Sequence, residues 1–128
     1  MIAGGVSPTG IDRLKKRAEF LAAAKGRVCA TSGVVVQARE RNDDGPARIG
    51  FTVTKKLGSA VLRNRIKRRL KEAARLILPG RARRGYDYVL IGRAAGLKRP
   101  FAGLQNDIAM ALKRLHPQPT SRADTELS

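Results

Sequence analysis

The clearest periodic pattern in the chain begins after Ser59 and ends at Pro79-Gly80. Its apolar residues fall within an arc of about 80° when successive residues are placed 100° apart, as in an α-helix. They are Leu62, Ile66, Leu70, Ala73 and Ile77. A proline followed by a glycine is a strong helix stop. The pattern therefore predicts a long amphipathic helix that packs one face against a core.

Two further helices are predicted toward the ends of the chain. In IDRLKKRAEFLAAAKG, Asp12 is the expected N-terminal cap, apolar residues recur at helical spacing, and Gly26 is the expected stop. In PFAGLQNDIAMALKRLH, Pro100 opens the helix and Pro117 ends it, again with one apolar face. Both segments are therefore expected to cover a sheet.

Three segments have the composition of β-strands. VCATSGVVVQARE and ARIGFTVTK are β-branched and partly alternating, and the turn-forming stretch RNDDGPA between them predicts a hairpin. Residues 31–33 are expected to split the first of these segments into two strands. YDYVLIGR supplies a further strand after the long helix. The order α-β-β-(β)-α-β-α favours an α/β sandwich with at least one parallel strand pair.

The two ends of the chain lack apolar periodicity. Residues 1–9 and 117–128 are rich in Gly, Ser, Thr and Pro, so both are predicted to be disordered around a single folded domain at residues 10–116. No stretch reaches the ~18 apolar residues that a membrane span needs, and the start has no basic region followed by an apolar run. The sequence therefore predicts a soluble cytoplasmic protein.

The net charge and its distribution along the chain indicate a class of function. The chain has 27 Lys and Arg against 10 acidic residues, a net charge of +17. Of these, 13 basic residues and a single acid, Glu72, lie between Arg48 and Tyr86. A helix face that is merely solvated would mix both signs, so this imbalance points to a polyanion, most simply a nucleic acid. Membrane binding is disfavoured, because the apolar arc lacks Trp and is needed for the core.

The long helix carries most of this charge on the side opposite its apolar arc. The residues that point away from the arc are Asn64, Lys67, Arg68, Lys71 and Arg75, and those that flank it are Arg63, Arg65 and Arg69. Arg presents a planar fork of donors to phosphate, and Asn64 can address a ribose or a base edge. Gly58-Ser59 permits close backbone approach at the start of the helix, which itself favours anions.

No catalytic or metal site is predicted on the protein. Protein nucleases commonly need clustered carboxylates or an acid/base histidine. Asp43 and Asp44 fall in a predicted turn and Asp87 precedes a predicted strand, and each is expected to be a cap, a turn former or a charge partner. His116 is expected to be a stabilising cation at a helix end, and Cys29 a small core residue.

The segment RIGFTVTKKLGSAVLRNRIKRRLKEAARL, Arg48 to Leu76, closely resembles the signature of the bacterial ribonuclease P protein subunit. The family pattern runs Lys-x-Gly-x-Ala-Val-x-Arg-Asn-x-Ile-Lys-Arg. Its fixed positions are matched here by Lys56, Gly58, Ala60, Val61, Arg63, Asn64, Ile66, Lys67 and Arg68. A weaker resemblance extends from Leu14 to Leu115.

This resemblance implies an α+β fold, a compact α-β-β-β-α-β-α domain with a left-handed βαβ crossover through the basic helix. It also implies that a catalytic RNA with Mg²⁺ removes the 5′ leader of precursor tRNA, and that the monomeric protein binds ribonuclease P RNA and precursor tRNA. The residues it assigns to the catalytic RNA are Lys55, Lys56, Ser59, Arg63, Asn64, Arg65, Lys67, Arg68, Arg69, Lys71 and Arg75.

The resemblance further implies a leader-binding cleft between the first helix and the sheet. Phe20 occupies one aromatic position of this cleft, whereas two other aromatic positions of the family fall on Ala24 and Gln37. Thr52 and Thr54 are expected to supply hydroxyls to the leader backbone. Phe20 remains open to a second interpretation as a core residue. Charge alone also leaves open a structural RNA-binding protein of the ribosomal type.

Overall fold

The structure is a computed structural model that describes residues 11–116, in which five strands form one sheet with helices on both faces. The elements are β1 (Ile11–Arg13), α1 (Arg17–Ala24), β2 (Arg27–Ala30), β3 (Val34–Glu40), β4 (Ala47–Thr52), a 3₁₀ turn (Lys55–Leu57), α2 (Ala60–Ile77), β5 (Tyr86–Gly92), α3 (Ala95–Lys98) and α4 (Phe101–Leu115). The predicted α+β class is confirmed. The predictions for residues 1–9 and 117–128 lie outside the described residues.

The strand order in the sheet is β1-β4-β5-β3-β2. β5 therefore lies between β3 and β4, and the predicted hairpin of these two strands is wrong. The physical reason is burial: five of the seven residues of β5 are buried, and a strand buried on both faces belongs at the centre of a sheet. The hairpin that does form joins β2 and β3, split as expected at residues 31–33.

The predicted parallel pair is confirmed. β4 runs parallel to β5, and α2 makes the crossover between them. β1 adds a second parallel pair at the edge, next to β4. The left-handed sense of the crossover stays a prediction.

The start of the first helix differs from the prediction. Ile11–Arg13 forms β1 rather than the first helical turn, and α1 begins at Arg17. Asp12 is therefore not the cap, and its carboxylate instead accepts a hydrogen bond from the backbone N–H of Arg13. Glu19 satisfies the free N–H groups at the helix start, because its Oε1 accepts from Lys15 and Lys16 at 3.0 Å each.

The main core lies on the sheet face covered by α2 and α4. The predicted apolar arc of α2 is confirmed: Ile66, Leu70 and Ala73 are buried, and Leu62 and Ile77 pack beside them. The opposite face has a smaller core beneath α1, which contains Leu14, Ala23 and Val89 with Phe20 packed against them. With only eight residues, α1 leaves part of this face of the sheet open.

His116 corrects a further prediction. It is buried at the C-terminal end of α4, and its Nε2 lies 2.6 Å from the hydroxyl of Tyr88. Burial, with additional repulsion from Arg83 and Arg27, lowers the pKa of His116 to about 4. The imidazole is therefore neutral at neutral pH, so the predicted helix-end cation is wrong. Cys29 is half-buried against the main core, in line with its predicted role.

Candidate nucleic-acid interface

The outer face of α2 and the turn before it form a cationic surface, which we call the basic helix face. Among the eleven residues predicted to bind RNA, those that are exposed are Lys55, Lys56, Ser59, Asn64, Arg65, Arg68, Lys71 and Arg75. The half-buried ones are Arg63, Lys67 and Arg69. The structure thus brings all eleven together on one helix and the turn that leads into it.

Six cations of this face have no side-chain hydrogen bond or ion pair within residues 11–116. They are Lys55, Lys56, Arg65, Lys67, Arg68 and Lys71. Arg75, in contrast, pairs with Glu72, and its Nη2 lies 2.5 Å from Oε2. The six free cations repel one another at this density, which favours a polyanionic partner.

The turn before α2 is built around Gly58. Its φ of 133° is a conformation that side chains rarely adopt, and an added Cβ would lie 2.7 Å from Cδ2 of Leu62. Ser59 caps the helix by accepting from the N–H of Leu62 at 3.2 Å, and Arg63 Nε donates to the Gly58 carbonyl at 3.2 Å. This geometry holds Lys55 and Lys56 beside the helix start.

Arg69 has a structural role within this face. Its Nε donates to the carbonyl of Gly96 at 3.2 Å, its Nη2 donates to the carbonyl of Arg99, and its guanidinium lies 6.0 Å from the Phe101 ring centroid. Arg69 thus ties α2 to the segment that leads into α4. Its predicted contact with RNA remains a prediction.

Val61 is a further member of the basic helix face that charge-based reasoning missed. It lies in the first turn of α2 and is 69% exposed, outside the apolar arc. An exposed valine on this helix offers an apolar contact to a sugar or a base. Its position outside the helical arc was the signal available in the sequence.

A second surface is an open cleft of about 410 Å³ between α1 and the sheet, which we call the α1 cleft. Its lining consists of Lys15, Arg17, Phe20, Leu21, Gln37, Thr52 and Val89. Three of the four residues predicted to bind a leader therefore meet here. Thr54 does not line the cleft; it is exposed two residues beyond β4. Ala24 is also exposed and outside the lining.

The floor of the α1 cleft follows from the strand register. Gln37, Val89 and Gly50 are paired in one row across β3, β5 and β4, and Thr52 lies in the next row. The side chains of Gln37 and Thr52 have no hydrogen-bond partner within residues 11–116. The cleft therefore presents an unused amide and an unused hydroxyl.

Phe20 belongs to both the small core and the cleft. Its ring lies on the backbone of Gly50, where an added Cβ would be 2.5 Å from Cε2 and from Cζ. The side chain packs on Leu14 and Val89 and is only partly buried. The core interpretation is thus correct for one side of the ring, and the other side is available to a ligand.

An ion network beside the cleft holds α1 on the sheet. Buried Asp87 accepts from Arg48 Nε at 2.7 Å and from Arg41 Nη1 at 2.6 Å, and Arg48 Nη1 donates to Glu19 of α1 at 2.8 Å. Burial raises the pKa of Asp87, but hydrogen bonds from Arg48 and Arg41 outweigh it, and the net shift is downward. Of the three roles that the sequence left open for Asp87, the structure shows that of a charge partner.

The described residues contain no metal-binding cluster. Within residues 11–116, no group of three or more His, Cys, Asp or Glu side chains is arranged to hold a metal ion. Several carboxylates are instead engaged by arginine, such as Asp43 by Arg41 and Asp107 by Arg99. In the same part of the chain, no helix has the length and apolar character needed to cross a membrane.

The chain matches a known family over the whole of its described length. The family model described as Ribonuclease P matches residues 10–116. The ribonuclease P protein component of Ruegeria pomeroyi is 53% identical over 116 residues, which cover 87% of this chain and 92% of the relative. That of Gluconacetobacter diazotrophicus is 52% identical over 103 residues, covering 80% and 89%.

Solved structures of proteins from the same family are similar to this chain. The RNase P protein of Staphylococcus aureus is 31% identical with a TM-score of 0.67, covering 81% of this chain and 94% of that one. The RNase P protein of Thermotoga maritima is 30% identical with a TM-score of 0.66, covering 80% and 96%. The chain belongs to the bacterial ribonuclease P protein family, and its function lies in tRNA processing. This membership decides against the ribosomal alternative.

Proposed function

We propose that the chain is the protein subunit of a ribonucleoprotein endoribonuclease that removes the 5′ leader of precursor tRNA. In this proposal it binds the catalytic ribonuclease P RNA through the basic helix face and the leader through the α1 cleft. The observation that carries the proposal is the coexistence of these two surfaces, one with six unpartnered cations and one with an aromatic ring beside unused polar groups. Family membership supports it.

Docking on the catalytic RNA is mainly electrostatic. The 18 residues of α2 extend for about 27 Å, enough to follow several phosphates of a folded RNA. Arg65 and Arg68 offer planar donor forks to phosphate, and Asn64 adds a donor and an acceptor. Because these side chains are exposed and unbonded, they can engage RNA without first breaking contacts within the protein.

Leader binding uses different chemistry. A single-stranded leader can stack a base on the open side of Phe20, while Lys15 and Arg17 at the rim attract its phosphates. Gln37 and Thr52 then offer hydrogen bonds from the cleft floor. We place Thr54 with the turn that leads to the basic helix face rather than with the cleft.

The chemistry of hydrolysis is assigned to the RNA. The described protein residues provide no cluster suited to Mg²⁺, so we assign the metal to the RNA and give the protein no catalytic side chain. The protein's part is to hold the RNA and the leader and to reduce the charge repulsion between them. We further propose that it acts as a monomer in the cytoplasm.

Reconstitution tests this function. The full chain, mixed with the ribonuclease P RNA of its own genome, should release the 5′ leader at a Mg²⁺ concentration at which the RNA alone is inactive. A variant with Arg65→Ala and Arg68→Ala should require more Mg²⁺. If the wild-type protein leaves the Mg²⁺ requirement of the RNA unchanged, the proposed function is wrong.

A further inference from the structure

A second cationic site lies at the far end of α2, away from both surfaces described above. It is an open cavity of about 610 Å³ between the loop that follows α2 and the C-terminal half of α4, which we call the α2–α4 pocket. None of the eleven predicted RNA-binding residues lines it, and it shares no residue with the α1 cleft. The function proposed above leaves it without a role.

The rim of the pocket is positive. Arg81 and Arg83 reach it from the loop and Lys113 from α4, and all three are exposed. Their side chains have no hydrogen-bond or ion-pair partner within residues 11–116, and no acidic residue lines the pocket. Cations that converge from two elements without a counter-charge form a site for an anion.

The floor of the pocket is apolar apart from one polar side chain. Leu112 and His116 are buried, and Met110 beside them is 44% exposed. The Tyr88 hydroxyl accepts from the N–H of Arg83 at 2.9 Å, so its own proton is free for Nε2 of His116, 2.6 Å away. When the hydroxyl donates to Nε2, the proton of the neutral ring lies on Nδ1, which has no hydrogen-bond partner within residues 11–116.

We propose that the α2–α4 pocket binds one unpaired nucleotide of RNA. Its phosphate would contact Arg81, Arg83 and Lys113, its base would lie against Met110 and Leu112, and Nδ1–H of His116 would donate to it. A bare phosphate would leave most of the cavity and its apolar floor empty, whereas a nucleotide uses both. The proposal rests on the RNA-binding function proposed above and adds a contact to it.

The nucleotide can come from the ribonuclease P RNA or from precursor tRNA. An RNA that follows the basic helix face over the length of α2 arrives at Gly80, on the edge of the pocket. Binding is therefore measured separately for the ribonuclease P RNA with the protein and for precursor tRNA with the assembled holoenzyme. The RNA that supplies the nucleotide is the one whose measured affinity falls when the pocket is changed.

The test compares two full-length double variants that each lose two positive charges. The pocket variant is Arg81→Gln with Lys113→Gln, and the control is Lys25→Gln with Lys98→Gln, two exposed lysines outside the pocket. We expect the pocket variant to weaken one arm by about tenfold, and the slope of log affinity against log salt to fall by about two in that arm. The control should change affinity by less than about twofold. Equal losses in the two variants would overturn the proposal.

A photo-crosslink gives an independent measurement. The exposed Met110 is replaced in the full chain by p-benzoylphenylalanine, and the crosslinked nucleotide is mapped in the irradiated holoenzyme. We expect a crosslink to an unpaired nucleotide that is lost in the pocket variant; absence of any crosslink would overturn the proposal. If Arg65→Ala with Arg68→Ala abolishes assembly while the pocket variant matches its control, only the pocket proposal fails.

Discussion

Replacing Phe20 separates leader binding from docking on the catalytic RNA. One side of the ring packs on Gly50, Leu14 and Val89, and the other side faces the α1 cleft. Stacking of a base on an aromatic ring contributes about 1 to 3 kcal/mol. Because neither Ala24 nor Gln37 adds a second ring, we expect the low end for Phe20→Ala, about 1 kcal/mol or roughly fivefold in affinity for a leader.

The assay measures the affinity of the reconstituted holoenzyme for precursor tRNA and for mature tRNA. Phe20→Ala should weaken only the precursor, since mature tRNA has no leader to stack. The same change should also lower the free energy of unfolding by roughly 2 to 3 kcal/mol, somewhat less than for a fully buried Phe, because the ring is only partly buried.

Phe20→Leu provides the matched control. Leucine retains much of the packing on Val89 but has no aromatic face, so we expect it to restore stability and not leader affinity. If Phe20→Leu restores leader affinity as well, packing explains the effect and Phe20 does not stack on the leader. Equal weakening of precursor and mature tRNA would contradict the reasoning in the same way.

Three further predictions follow from the geometry. Arg65→Ala with Arg68→Ala should weaken binding to ribonuclease P RNA by about 2 to 4 kcal/mol. Because both side chains are exposed and unbonded, the circular dichroism spectrum should stay native, and an unfolded variant would contradict this. Arg69→Ala should lower the unfolding free energy by about 1 to 3 kcal/mol in urea titration, since it leaves the carbonyls of Gly96 and Arg99 without a donor. Arg69→Lys should restore only part of the lost stability. Unchanged stability in Arg69→Ala would show that these hydrogen bonds contribute little. The pKa of His116 in the folded protein, about 4, lies below its value in the unfolded chain. The free energy of unfolding should therefore fall as the pH drops from about 6.5 toward 4, by at most roughly 3 kcal/mol, and His116→Leu should flatten this part of the stability–pH curve. An identical pH profile in the variant would refute the lowered pKa of His116.

Much of the basic helix face could be predicted from sequence, because the order of residues along a single helix determines which side chains share a face. The period of α2 assigns every residue to the core side or the outer side, Ser59 caps its start, and Pro79-Gly80 follows its last turn. What the period could not reveal is that Arg69 is bonded to Gly96 and Arg99. That contact depends on where α3 packs, which is a property of the folded chain.

Strand pairing was less predictable for a related reason. The segment between β3 and β4 contains every sign of a turn, and Asn42 does adopt a φ of 65° there, yet the two strands do not pair. Turn-forming residues predict that the chain reverses direction, but they do not predict which strand will pair with the strand that follows. The deep burial of β5 decides the pairing, and it involves residues more than 30 positions away.

The α1 cleft was predicted only through family resemblance. Phe20, Gln37 and Thr52 are far apart in sequence, and no pattern within the chain links them. Lys15 and Arg17 were not predicted because the first helix was expected to start earlier. Once Glu19 is recognised as the capping side chain, these two cations fall beside the cleft.

The central position of β5 has a consequence for the order in which the chain can fold. β3 and β4 each find their main partner in a strand that begins at Tyr86, so neither can complete its ladder until about two thirds of the chain has left the ribosome. Before that point the β2–β3 hairpin, the short β1–β4 pair and isolated helices can form, but these two strand pairs stay unconnected without β5. Closing the sheet then requires contacts distant in sequence, which slows folding. A nascent chain that ends before Tyr86 should therefore remain sensitive to protease, and full protection should arise only once α4 has emerged, because α4 covers the main core.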